Sequence, residues 1–189
     1  MLMELETLRD LYLHELRDLR SAESQITKAL PKMIKAATSE DLSQALSEHL
    51  VVTKEHVARL DRIFAELNAS SRGKKCKCME GLLEEGAELL EEEVDPEVLD
   101  AGIIAAAQRV EHYEIAGYGT ARAYAALLGD ALGENLLEQT AREEGDADKT
   151  LTAIAQACVN LSAINGEPAA LPASRSLARG SGPRASRKR

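Results

Sequence analysis

The chain has 189 residues, enough for one domain with a real core and too few for two. With no Trp, one Phe and four Tyr against a background of Leu and Ala, the composition is that of an all-α protein and argues against a strand-rich fold. Net charge is −9, yet residues 165–189 hold six basic side chains (Arg175, Arg179, Arg184, Arg187, Lys188, Arg189) against Glu167, so the tail stands at +5 and residues 1–164 at −14, which argues against nucleic acid lying along the body.

Cys76, Cys78 and Cys158 lack the spacing of a zinc site or a disulfide framework, and an odd number of free thiols suits a reducing cytoplasm. No apolar run approaches the ~20 residues needed to span a bilayer. The opening MLMELETLRD lacks the apolar centre of a signal peptide. The expectation is a cytoplasmic protein with no membrane insertion.

The first helix is expected from about Glu4 to Ala37, on a stripe of Leu8, Leu11, Tyr12, Leu16, Leu19, Ile26 and Leu30. Pro31 lies inside it and predicts a kink or a break near Ala29 to Lys32. Glu23 continues the spacing Leu16, Leu19, Glu23, Ile26, Leu30, so this helix points a carboxylate inward. Thr38, Ser39, Glu40 and Asp41 carry cap residues and first-turn acids, which start a second helix running to about Leu67. Its stripe, Leu42, Leu46, His49, Thr53, His56, Leu60, Ile63, is interrupted by two histidines. They stand seven residues apart, roughly 10 Å along the axis, whereas paired metals sit about 4 Å apart. One histidine can therefore ligate while the other supports it or merely packs.

The polar stretch from Asn68 to Lys77 reads as a loop, followed by a short amphipathic helix from Met79 to Val94 whose Glu91, Glu92 and Glu93 form its solvated end. Asp95 and Pro96 provide a cap and a first helical residue for a third long helix, from about Pro96 to Leu128. The link from 68 to 95 is long enough to cross a bundle end to end. Within the third helix, AAAQRVEHYEIAGYGT sets Glu111, Glu114 and Tyr118 among small residues on the apolar side. Carboxylates there either meet a metal or cation, or lie at the stripe edge and pair with Arg109 or Arg122. After a turn at Gly129 and Asp130, a fourth helix runs to about Ala163, with Glu144 and Asp148 near its inward stripe and Asn165–Gly166 as its stop. This divides the chain into a helical bundle over 1–164 and a basic tail over 165–189 that lacks periodicity and is expected to be disordered.

Four helices that each carry a polar interruption near mid-length point to a carboxylate-rich site suited to Fe or Mn. The strings LRDLRSAESQITKALPKM, LSEHLVVTKEHVARLDRIF, KCKCMEGLLEEG, AAAQRVEHYEIAGYGT and EEGDADKTLTAIA occur in that order. Over about residues 6–160 the chain thereby resembles the YciF-like stress proteins, a ferritin-like group long labelled a domain of unknown function. The resemblance implies a four-helix ferritin-like bundle with a long crossover, similar to rubrerythrin, commonly dimeric, tied to bacterial stress responses and able to hold a dinuclear metal site. The family carries no agreed biochemical activity.

The ferritin-like ligand pattern asks for one Glu on each of two helices and Glu-x-x-His on each of the other two. Mapped here, Glu23 and Glu111 fill the single positions, while His56 and Glu144 fill half of each pair. Thr53 and Ala147 stand where the missing partners would be, and Val51 and Val52 where relatives often carry acids. Glu114 and Asp148, on neighbouring turns, are candidate substitutes. Two functional readings follow. In one, Glu23, His56, Glu111 and Glu144, with Glu114 and Asp148 in support, hold two Fe or Mn ions for oxygen or peroxide handling, and Tyr118 or Tyr113 hydrogen-bonds a bound oxygen species. In the other, a dimeric bundle with a degenerate site serves as a structural or interaction protein, with Val51 and Val52 at its dimer seam. The tail's six positive charges could touch nucleic acid, against the simpler role of a solubilising segment.

Overall fold

The computed structural model describes residues 5–165. In chain order the helices are α1 (Leu8–Ala36), α2 (Glu40–Glu66), α3 (Lys77–Leu89), α4 (Pro96–Leu128), α5 (Ala131–Ile154) and α6 (Asn160–Asn165), with a π-helical turn over Ala155–Val159 between the last two. Among the described residues there is no strand. Neighbouring helices of the four-membered bundle are α1 with α2, α2 with α5, α5 with α4, and α4 with α1. That leaves α2 and α4 diagonal and parallel, so the chain must travel the length of the bundle between them. It does so through α3, which packs on α1 and α4.

Capping fixes where the helices begin. Thr7 and Asp10 form a reciprocal capping box on α1, with Thr7 N donating to Asp10 at 3.0 Å and Asp10 N to Thr7 Oγ1 at 3.2 Å. Ser39 accepts from Leu42 N on α2, and the Cys76 thiol accepts from Met79 N on α3. Asp95 stands at the N-cap of α4 without a capping hydrogen bond, so Pro96 alone carries that start. Gly129 closes α4 at φ 74°, a left-handed conformation that suits glycine. Asp130 then caps α5 through Gly133 N at 2.8 Å and accepts from Tyr12 OH at 2.9 Å. A Cβ on Gly133 would lie 2.5 Å from that hydroxyl, which keeps the position bare.

Two expectations change and one narrows. Of the kink or break expected at Pro31 the break is absent, since helix α1 is continuous through that exposed residue. Helix α3 ends at Leu89 rather than Val94, since adjacent Glu91, Glu92 and Glu93 repel one another and have no packed face to hold them helical. The fourth helix is interrupted by the π turn before resuming to Asn165. Gly166 and the basic tail lie outside the described residues.

Buried Asp100 ties the start of α4 to the α1–α2 turn. Its carboxylate accepts from Thr38 N at 2.8 Å, Thr38 Oγ1 at 2.7 Å and Ser39 N at 2.8 Å, locking the α1–α2 turn onto α4. The apolar core is in two parts. One, around Ile26, Leu42, Leu46, Ile103 and Leu151, lies toward that turn. The other, around Tyr12, Leu16, Leu60, Tyr118 and Leu137, lies toward the α4–α5 turn. Between them every bundle helix contributes buried polar side chains: Glu23 from α1, Thr53 and His56 from α2, Glu111 and Glu114 from α4, Thr140 and Glu144 from α5.

Candidate metal centre

The stripes place Glu23, His56, Glu111, Glu114 and Glu144 inside the bundle because each sits at a spacing where an apolar residue would otherwise fill the seam. His56 Nδ1 lies 2.8 Å from Glu144 Oε1 and 3.3 Å from Glu23 Oε1. His49 Nε2 lies 3.3 Å from Glu111 Oε1 and 3.8 Å from Glu144 Oε2. Two convergent sets result, Glu23–His56–Glu144 and His49–Glu111–Glu144, each with its ligand atoms mutually within 4.8 Å. Glu144 belongs to both and offers one oxygen to each.

These contacts are close without being hydrogen bonds. Both oxygens of Glu114 and of Glu144, one oxygen each of Glu23 and Glu111, His49 Nε2 and His56 Nδ1 are buried and have no hydrogen-bond partner. Leaving one such group unmade costs about 1–3 kcal/mol, so a cluster of them in one layer needs an occupant to offset it. Carboxylate oxygens and imidazole nitrogens converging on common points, without hydrogen-bond geometry between them, are what a cation site offers.

The surroundings orient the imidazole of His56. Its Nε2 faces Glu143 Oε2 at 2.9 Å, and Glu143 is gripped by Arg59 through both guanidinium nitrogens, Nη2 to Oε1 at 3.0 Å, and by Gln139 Nε2 at 2.9 Å. A proton shared with Glu143 on Nε2 turns Nδ1 toward Glu23 and Glu144, the carboxylate–histidine arrangement that directs a ligating nitrogen. Tyr118 donates to Glu23 and meets the His56 ring edge-on at 6.3 Å. Thr53 hydrogen-bonds its own helix at the His49 carbonyl, 2.8 Å away, and so offers nothing to the centre.

Burial pushes the Glu23, Glu111 and Glu114 carboxyls up, and for Glu111 and Glu114 the neighbouring carboxylates push further. Burial lowers His49, keeping it neutral. Burial would also depress His56, but Glu144 and Glu23 more than reverse this and bring it up to about 10. Glu144 is held low against its own burial by that imidazolium. Burial opposes ionisation of Glu143 too, yet Arg59 and Gln139 bring it down to about 2.

The remaining expected residues fall elsewhere. Asp148 lies outside both sets, half-buried, accepting from Gln108 Nε2 at 2.8 Å with His112 Nε2 at 3.4 Å. Tyr113 donates to Asp18 and touches the Cys76 thiol at 3.1 Å. Arg122 pairs with Glu138 at 2.7 Å rather than with Glu111 or Glu114. Although His49 and His56 stand two turns apart on α2, His49 extends its far nitrogen and His56 its near one toward Glu144, so both side chains approach the same carboxylate. Glu143 is the residue that sequence reasoning passed over. At 30% side-chain exposure it reads as a solvated neighbour of Glu144, and only the packing of α2 on α5 brings it over His56.

A bundle of two antiparallel helix pairs joined by a diagonal crossover, with a carboxylate and imidazole layer across its middle, is a ferritin-like protein. Residues 7–164 match the family described as Domain of unknown function (DUF892), and the chain belongs to that family of YciF-like proteins. It is 44% identical over 164 residues to Protein YciF of Escherichia coli (strain K12), a match covering 86% of this chain and 99% of that protein. The crystal structure of the E. coli stress protein YciF superposes with a TM-score of 0.79 at 41% identity, covering 86% of this chain and 100% of that one. A second structure, of YcfI from Rhodopseudomonas palustris, suggested to be a structural protein, gives a TM-score of 0.78 at 46% identity, covering 80% and 97% of the two chains. Among the described residues no helix is long and apolar enough to cross a membrane.

Proposed function

We propose that this chain is a cytoplasmic stress-response protein whose bundle holds two Fe or Mn ions, one between Glu23, His56 and Glu144 and the other between His49, Glu111 and Glu144, for oxygen or peroxide handling. The observation that carries it is the layer of buried, unpartnered ligand atoms from six residues, Glu23, His49, His56, Glu111, Glu114 and Glu144. Two divalent cations would balance the four carboxylates of this layer and leave both imidazoles neutral, which is the charge state a buried site favours. Oxygen donors mixed with imidazole suit Fe and Mn better than an all-thiolate or all-oxygen set would. Bound there, such ions supply redox and Lewis-acid chemistry at a site shielded from bulk water. The chain's part is to hold Glu144 between the two positions, to orient His56 through Glu143 and Arg59, and to place the Tyr118 hydroxyl against Glu23.

Metal content per chain, measured by elemental analysis on untagged protein from iron- and manganese-supplemented medium, tests this beside a Glu23, Glu111 and Glu144 to Gln variant. About two ions in the native chain and none in the variant is the expected result; near-zero in both sinks it.

A second reading keeps the bundle as a dimeric structural or interaction protein. It is favoured by Thr53, which turns back on its own helix where the pattern has a carboxylate, and by Val51, exposed on α2 as a dimer seam would need. Under it, Glu111→Gln leaves metal content at baseline.

A further inference from the structure

The members of the central layer are not equally shielded. Glu23, His56, Glu114 and Glu144 have no exposed surface, whereas Glu111 keeps 3% and the His49 side chain 10%. Both of the latter line a pocket of about 240 Å³ between α2 and α5. Ala45, Val52 and Ala147 leave the pocket wide, and the carboxylates of Glu48 and Asp146 stand at its exposed rim. His49 and Glu111 form its inner wall, so the pocket ends on two side chains of the layer, whose Nε2 and Oε2 atoms lie buried without a partner just behind it. Beyond it lies Glu144, with one oxygen turned to His49 and the other to His56. Along the bundle axis the layer is closed by the two apolar clusters.

We propose that the pocket between α2 and α5 is the window through which divalent cations reach the centre, filling the His49–Glu111 position before the Glu23–His56 position. The inference rests on the metal centre proposed above. Glu48, whose carboxylate meets only the neutral Gln44 amide among the described residues, and to a smaller extent Asp146, which pairs with Lys149 at 2.8 Å, raise the local cation concentration. His49 and Glu111 would supply the first protein ligands met from outside, and Glu144, with one oxygen toward each position, would link the outer position to the inner one. The inner position, with no exposed ligand, can be filled only across Glu144. The outer one is the exchangeable site.

The test is stopped-flow loading of the chelator-stripped full chain with Co(II), whose visible absorption reports coordination, at several salt concentrations. The native chain should load in two phases to two ions. Glu48→Gln with Asp146→Asn should slow the first phase several-fold and flatten its salt dependence, with the end point unchanged. Ala147→Phe, which plugs the window, should slow loading tenfold or more. His49→Ala should remove the fast phase. Native uptake of two ions at rates and salt dependence that the rim variant leaves untouched would overturn the window while leaving the centre standing. An end point of zero in the native chain would overturn the centre and the window with it. Should Ala147→Phe fail to fold, the rim variant, altered only at exposed positions, decides alone.

Discussion

Glu114 offers the sharpest separation between a centre kept for ligands and a core kept for structure. It has no exposed surface, and neither carboxyl oxygen has a partner. Burial, with Glu23, Glu144 and Glu111 nearby, raises its pKa well above the ordinary 4.5, so the ion-free protein holds it as a neutral acid with unmet hydrogen bonds. Replacing it with Leu, of similar volume, removes an unsatisfied buried group worth about 1–3 kcal/mol. In a chain of this size each kcal/mol moves Tm by about 2–4 °C, so the ion-free variant should melt roughly 2–12 °C higher. The gain has a pH sign. A carboxyl whose folded pKa is raised contributes its full stability below its unfolded value and loses it as pH rises through the folded one. The advantage of Glu114→Leu therefore grows from about pH 5 to about pH 8. In the presence of Mn(II) the order reverses, because the variant lacks one of the four carboxylates that balance the two ions in the proposed centre. Calorimetric melts of chelator-stripped native and variant chains, with and without Mn(II), at both pH values, provide the assay. An ion-free Glu114→Leu protein less stable than the native chain at both pH values would refute the reasoning.

Saturating Mn(II), at about 100 times Kd, should add about 2.7 kcal/mol of stability per site, reversed by chelator; an unmoved Tm contradicts the centre. Ion uptake near pH 7 should release protons, since His56 at about 10 is charged in the ion-free fold. The stability that His56 charging gives that fold is full below about 6.5 and lost as pH rises through about 10, so proton competition weakens and metal affinity climbs with pH, as an indicator-dye titration would record. Glu143→Gln should cost about 10- to 100-fold in metal affinity by loosening His56, with helicity by circular dichroism unchanged. Asp100→Ala strands two backbone N–H groups at the α1–α2 turn and should cost about 2–4 kcal/mol in urea unfolding while leaving metal stoichiometry alone.

Periodicity made the architecture legible. The third long helix was expected over Pro96–Leu128 and occupies those residues, because Pro and the Gly129 stop are local signals. The crossover was legible from the length of the link between the second and third long helices. Local signals failed where energetics were not local. The acidic run after Leu89 carries helix-forming residues yet lacks a face to pack. The π turn at Ala155–Val159 follows from no residue type that sequence reading could weigh. Within the central layer, spacing marked Glu23, Glu111, Glu114 and Glu144 as inward-facing. It could not rank His49, since ring reach is a side-chain property, nor find Glu143, whose role depends on which helix lies opposite.

The two gaps in the ferritin-like pattern are connected. That pattern comprises four Glu and two His, and the layer here comprises Glu23, Glu111, Glu114, Glu144, His49 and His56, the same composition and formal charge. A carboxylate absent at Thr53 on α2 is matched by Glu114 on α4, diagonally opposite. An imidazole absent at Ala147 on α5 is matched by His49 on α2, the neighbour of α5. In the proposed centre each matching residue stands on a different helix, so a motif read along one helix registers two losses while the composition of the buried layer, summed over the bundle, registers none. The constraint that acts on such a centre is electrostatic before it is sequential: two divalent ions in a closed core call for about four negative charges and a set of neutral donors, from whichever helix can aim them. Alanine at 147 leaves the wall between α2 and α5 open, and it is on this side that His49 and Glu111 keep their small exposure.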